Sequence, residues 1–423
     1  MYTKRVSARV QQYAQLDAWV DNHFDEQVLF LQTLVRIPTD TPPGNNAPHA
    51  ERVAALLRDF DMQAEQHVVP TAQLQAYGMQ SITNLIVRRP YGPGKTIALN
   101  AHGDVVPPGE GWTRDPYGAE IENGTMFGRA TAVSKSDFAT FTFATRALES
   151  LSVQLNGAVE LHFTYDEEFG GEKGPGWLLN QGLSKPDMVI AAGFSYQVIT
   201  AHNGCLQLEV TVQGEMAHAA IPESGTDALQ GAVCILNALY ALNNDYLNVR
   251  SQTPGITHPY LNVGQIVGGT NTNVLPGKVV FKVDRRMIPE EDPAEVEAAI
   301  RQTIEQACGG FQPPRGGKQL QVAIRRLLLC RAMAPLPSNA ALVNAIQTHG
   351  EALFGEPIAA VGTPLYTDAR LYAERGIACV MYGAGPRTLR ESNAKRGDER
   401  LALDDLKKAT KVVARTLLDL LSP

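Results

Sequence analysis

Apolar residues recur at spacings of three and four through residues 16–35, LDAWVDNHFDEQVLFLQTLV, which predicts one amphipathic helix. IPTDTPPG follows, and its prolines stop that helix. A second amphipathic helix is predicted over 48–60. ITNLIVRRP and TIALNAHGDVV then read as strands, the second closing on polar residues. In an open α/β sheet, chemistry gathers beyond such carboxyl ends. A helix over 136–151, the strand VELHFTYDEE with acids at its tip, a turn and short helix in GPGWLLNQG, and the strand MVIAAG continue the alternation. That order describes a layered sheet covered by helices.

The pattern changes near residue 205. CLQLEVTVQG alternates apolar and polar positions, as a half-buried strand does. A helix over 226–242, the strands LNVGQIVGG and VVFKVDRRMI, the helix AEVEAAIRQTIEQA and the strand QLQVAIRRLLL complete a βαββαβ unit. From about residue 335 the helix–strand alternation resumes, with ALVNAIQTHGEALF, IACVMYGAG and a last helix from about 403. The predicted fold is α/β. One domain, residues 1–204 and 333–423, has a mostly parallel central sheet flanked by helices. It is interrupted by a smaller two-layer α+β domain over 205–332.

Composition narrows the function classes. The chain has 423 residues, 44% of them hydrophobic, and a net charge of -7 with acids and bases interspersed. No basic stripe is present, which argues against a nucleic-acid partner. Cysteines stand at 205, 234, 308, 330 and 379, an odd number without a CxxC. This reads as a reducing compartment rather than a disulfide scaffold, and a cytoplasmic location follows. MYTKRVSARVQQYAQ has no apolar signal region, and no 18-residue apolar span follows, so no membrane partner is expected.

Several polar positions could carry chemistry. His102 and Asp104, at a strand end, form an i, i+2 pair in which a carboxylate could orient a metal-binding imidazole, or an ordinary polar strand end. Asp166, Glu167 and Glu168 repel one another and need a cation or raised pKa values. One of them could bind metal while its neighbour acts as general base. His218 in GEMAHAAIP could stabilise an oxyanion or cap the chain at the surface. Asn273 in NTNVLPG reads first as a turn residue, and Arg286 in DRRM as a salt-bridge partner or carboxylate binder.

Taken in order, AHGDVV, GRATAVSKSD, DEEFGG, PDMVIAAG, GEMAHAAIPESGTDAL, GGTNTNVLPG, DRRMIP, TDARLY and KRGDE resemble the M20 family of zinc aminoacylases and carboxypeptidases. That family includes acetylornithine deacetylases, succinyl-diaminopimelate desuccinylases and glutamate carboxypeptidases. The resemblance runs over about residues 20–420. It implies a catalytic domain with an inserted lid and dimerisation domain, a homodimer, and two zinc ions. The reaction would be cleavage of an amide bond in an N-acyl amino acid or peptide. It also implies His102 and Glu168 as metal ligands, Asp104 orienting His102, and Glu167 as general base. His218 would polarise the carbonyl, and Asn273 and Arg286 would hold the substrate, Arg286 at its free carboxylate.

The resemblance fails at the metals. Where the family reads GRGxxDxKG, this chain has Val133 in place of the bridging Asp. Where a third strand offers an acid, it has Gly193; where HxxDE supplies a histidine, it has Lys395. Two retained ligands predict at most one weakly held zinc or other divalent ion, and a metal-free state is open. Asp137, four residues after Val133, is a substitute ligand if the loop is remodelled, or a helix-start carboxylate. Lys395 could replace the lost positive charge by pairing with Glu167, Glu168 or Asp104. Two functions remain. The first is an amidohydrolase with an altered metal site, put first because Asp104, Glu167, His218, Asn273 and Arg286 are retained. The second is an inactive relative that binds a small amide or carboxylate, or acts as a dimeric partner.

Overall fold

The computed structural model describes residues 2–313 and 318–423. The chain divides into two compact units, one of residues 1–200, 335–361 and 367–423, the other of 201–334 and 362–366. Residues 362–366 thus group with the second unit, although the sequence pattern runs them on with the C-terminal segment.

The first unit is built on an eight-stranded sheet. Its centre runs Ala158–Thr164, Thr96–His102, Met188–Ala191 and Ala378–Met381, and these neighbours pair in parallel. Met188–Ala191 and Ala378–Met381 are buried throughout, as strands covered on both faces must be. Towards the edges the pairing turns antiparallel, through Thr83–Pro90 and Ala64–Val68 on one side and Gln197–His202 on the other. The helix Lys135–Glu149 is buried over nearly its whole length and packs on Leu403–Leu421 and Phe24–Val35.

The single helix expected over 16–35 is two, Tyr2–Asn22 and Phe24–Val35. His23 breaks it. Its ring stacks on Trp19, centroids 3.9 Å apart, and its Nδ1 lies 2.8 Å from the Trp19 carbonyl oxygen, competing for the helix's own acceptor.

The second unit is the βαββαβ module. Its antiparallel sheet runs Tyr260–Gly268, Lys278–Met287, Gly204–Gln213, Gln321–Cys330. The helices Ala228–Tyr246 and Pro293–Gly310 start on the side-chain caps of Asp227 and Asp292, each accepting a first-turn amide at 2.8 Å. Leu206, Leu208, Val210 and Val212 alternate inward to meet Phe281, Ile300 and Ile304.

Candidate functional site

The strand Thr96–His102 lies between two parallel neighbours, so its end brings His102 to the carboxyl edge of the sheet, beside the turn after Thr164. Gly103 is needed there, because a Cβ would stand 2.4 Å from the Tyr165 ring. Asp104 is fully buried and accepts the amide N–H of Glu167 at 3.2 Å and of Glu168 at 2.9 Å. One carboxylate thus ties two strand ends together.

His102 Nδ1 lies 3.0 Å from the Asp104 carbonyl oxygen and 3.4 Å from its carboxylate, while Nε2 faces Glu167 at 3.8 Å. Burial alone would lower the imidazole pKa. Glu167, Asp104 and Glu168 outweigh that and carry it up to about 10, so the ring is an imidazolium at neutral pH. Burial pushes the Glu167 carboxyl up to about 7, against the pull of His102. Lys395 Nζ donates to Glu168 Oε2 at 2.7 Å. Burial opposes the ammonium, but Glu168 and Glu167 hold its pKa above the ordinary lysine value. The lysine side chain is 55% exposed, so solvent screens the pair and its contribution is about 1 kcal/mol or less.

Glu399 organises the loops behind this pair. It accepts the amides of Ala132 and Lys395, each at 3.2 Å, and forms a buried ion pair with Arg129. The segments around Val133 and Lys395 are therefore one tied assembly. Asp137, in the first turn of Lys135–Glu149, accepts the Ala384 amide at 2.7 Å and is held also by the Gly193 amide. Burial still pushes its carboxyl up to about 7.

Two further acids belong to this cluster. Asp166 is buried and pushed up to about 8 by that burial, and its carboxylate accepts the Lys173 amide. Asp368 is 4% exposed, neither oxygen has a hydrogen-bond partner among the described residues, and burial beside Glu167 raises its pKa well above the ordinary value. TDARLY is the sequence signal for Asp368: the segment belongs to the ordered motif set, but its spacing alone assigns the acid no role.

His218, Asn273 and Arg286 lie in the second unit. His218 is exposed in a two-residue ribbon with Val274 and accepts the Ala220 amide at 3.1 Å. Asn273 accepts the Ala219 amide at 3.0 Å through its carbonyl oxygen. Arg286 Nε donates to Asp284 at 2.7 Å, and its guanidinium lies over the Tyr366 ring at 5.3 Å.

Residues 98–419 match the family Peptidase family M20/M25/M40, and the chain belongs to it. It is 26% identical over 405 residues to a succinyl-diaminopimelate desuccinylase of Methylobacterium sp. (strain 4-46), covering 91% of this chain and 94% of that one. The fold is similar to that of human carnosine dipeptidase 1, with a TM-score of 0.79 at 16% identity, covering 96% of this chain and 98% of the other. It is equally similar to the di-peptidase Dug1p of Saccharomyces cerevisiae, with a TM-score of 0.79 at 14% identity and the same coverage.

A di-zinc centre does not fit these residues. Val133 has no lone pair to bridge two ions. At Gly193 a Cβ would stand 2.8 Å from the Met381 carbonyl carbon and the Tyr382 nitrogen, so no acid side chain can start there. An ammonium sits on the Glu168 carboxylate. Among the described residues, no group of three or more His, Cys, Asp or Glu is arranged to hold a metal ion. No helix among them is long and apolar enough to cross a membrane.

Proposed function

We propose that this chain uses the M20 scaffold to bind a small amide or short peptide with a free carboxylate, at a site whose charge is balanced by side chains. The observation that carries this is the Lys395 ammonium on Glu168, with Val133 and Gly193 at the other two departures. Binding stood second from the sequence alone; it comes first here because the surviving ligand Glu168 is already engaged. For the second unit, taken by itself, we assign Arg286 to recognition of a free carboxylate and Asn273 and His218 to recognition of an amide.

Glu167 favours a second reading, an amidohydrolase. A carboxyl pushed up to about 7 beside an imidazolium is matched to general-base work near neutral pH. The metal content of protein purified without chelator, followed by turnover of N-acyl amino acids and dipeptides with and without Zn, Mn or Co, separates the two. Binding without turnover and without stoichiometric metal is expected. Turnover that rises with bound metal would reverse the order. Omission of a free carboxylate from the ligand should weaken binding; equal binding of an acid and its amide would remove Arg286 from its assignment.

A homodimer through the second unit is also inferred. Leu229, Val233 and Tyr240 are 44–47% exposed on one helix, and Ile266 and Val267 are 49% and 63% exposed on an edge strand. Sedimentation of a monomer at micromolar concentration would refute it.

A further inference from the structure

Cys205 and Cys330, far apart in sequence, are Cα partners across antiparallel strands of the second unit. The uninterrupted neighbouring ladder sets their phase. The Gly214 amide donates to the Gly277 carbonyl oxygen at 2.8 Å, in the register that pairs Lys278–Met287 with Gly204–Gln213. Hydrogen-bonded and non-hydrogen-bonded pairs alternate along such a ladder, so the even-numbered residues of Gly204–Gln213 turn their backbone groups to Lys278–Met287 and the odd-numbered ones to Gln321–Cys330. Cys205 and Cys330 therefore form a hydrogen-bonded pair, with Cα atoms about 5.5 Å apart and side chains on one face. That separation falls within the range of about 4.4–6.8 Å that a disulfide spans.

We propose that Cys205 and Cys330 are a cross-strand dithiol, a modification site that closes into a disulfide with a small-molecule disulfide as oxidant. The two thiols lose two protons and two electrons, a Cys205–Cys330 sulfur–sulfur bond forms, and the oxidant's own sulfur–sulfur bond breaks to give two thiols. Both cysteines are fully buried. Burial raises the Cys205 pKa, with Asp284 adding to it, so exchange proceeds through opening of the strand ends. The Cys205 thiol donates to Asp284 at 3.5 Å, and Asp284 also holds Arg286. Oxidation therefore removes one donor from the carboxylate that orients Arg286.

The full chain is incubated with oxidised glutathione, in buffer and in sub-denaturing urea, until the exposed Cys234 has reacted. Free thiols are then alkylated under denaturing conditions and the peptides read by mass spectrometry. The expected result is a dithiothreitol-sensitive link between the Cys205 and Cys330 peptides and a raised thermal midpoint. Cys330→Ala should abolish the link while leaving Cys234 reactive. Full alkylation of both Cys205 and Cys330 in both conditions, or a link joining other cysteines, would overturn the proposal. The readout needs no ligand and stands apart from the binding assignment.

Discussion

The two halves of the site differ in how their residues are held. In the retained half, Asp104 is fully buried and clamps the amides of Glu167 and Glu168, and its neighbour His102 is an imidazolium wedged among acids. In the replaced half, Gly193 packs against the Met381–Tyr382 backbone, Val133 offers carbon only, and Lys395 reaches in from a half-exposed position. The contrast weakens an argument that looks strong in one dimension. Retention of Asp104 does not require catalysis, because this carboxylate has a backbone-clamping task that survives loss of the metal. The Val133 and Lys395 side chains clamp no backbone amide and report more directly on what the site binds.

The comparison can be broken most severely by rebuilding the replaced half. Val133→Asp combined with Lys395→His adds a carboxylate on the loop that Ser134 ties to His102 and an imidazole at the position that now pairs with Glu168, a set of the size that holds a catalytic zinc. Zinc content by plasma mass spectrometry should rise from no stoichiometric metal to about one ion per chain. No gain would mean that the tied loops have left the family geometry altogether. The next largest effect lies in the retained half. Asp104→Ala removes two buried amide acceptors and strands a buried imidazolium, which should cost about 3–5 kcal/mol in urea unfolding, metal or no metal. A loss below about 1 kcal/mol would show that the clamp is not structural.

Much of this was legible before folding. The alternation that predicts the inserted βαββαβ unit appears strand for strand, because each strand there has one helix-covered face and one open face. Ala64–Val68 and Gln197–His202 were not foreseen: AEQHV lies at the sheet edge with no buried position, and QVITAH lacks strict alternation. Charge balance pointed to Lys395 and an acid, but the choice of Glu168 over Glu167 depends on the turn that Asp104 clamps. The exclusion at Gly193 could not be read at all, since the obstructing backbone belongs to a strand far along the chain.

The smallest effect tests whether the retained half is stable as an acid or as a base. Glu167 has a folded pKa of about 7, raised from an ordinary value near 4.5 by burial. Below about pH 4.5 the carboxyl is protonated in both folded and unfolded chains, and it contributes no pH dependence. Between about 4.5 and 7 the unfolded chain ionises first, so the folded chain binds more protons and stability falls as pH rises. Above about 7 the loss is complete and levels off. Glu167→Gln keeps the neutral shape at every pH. It should match the parent protein in acid and exceed it above neutrality, by on the order of 1–3 kcal/mol. Urea midpoints from pH 4 to 9 measure this difference. A variant that is weaker than the parent above neutrality would mean that the His102 imidazolium needs the Glu167 charge more than burial opposes it.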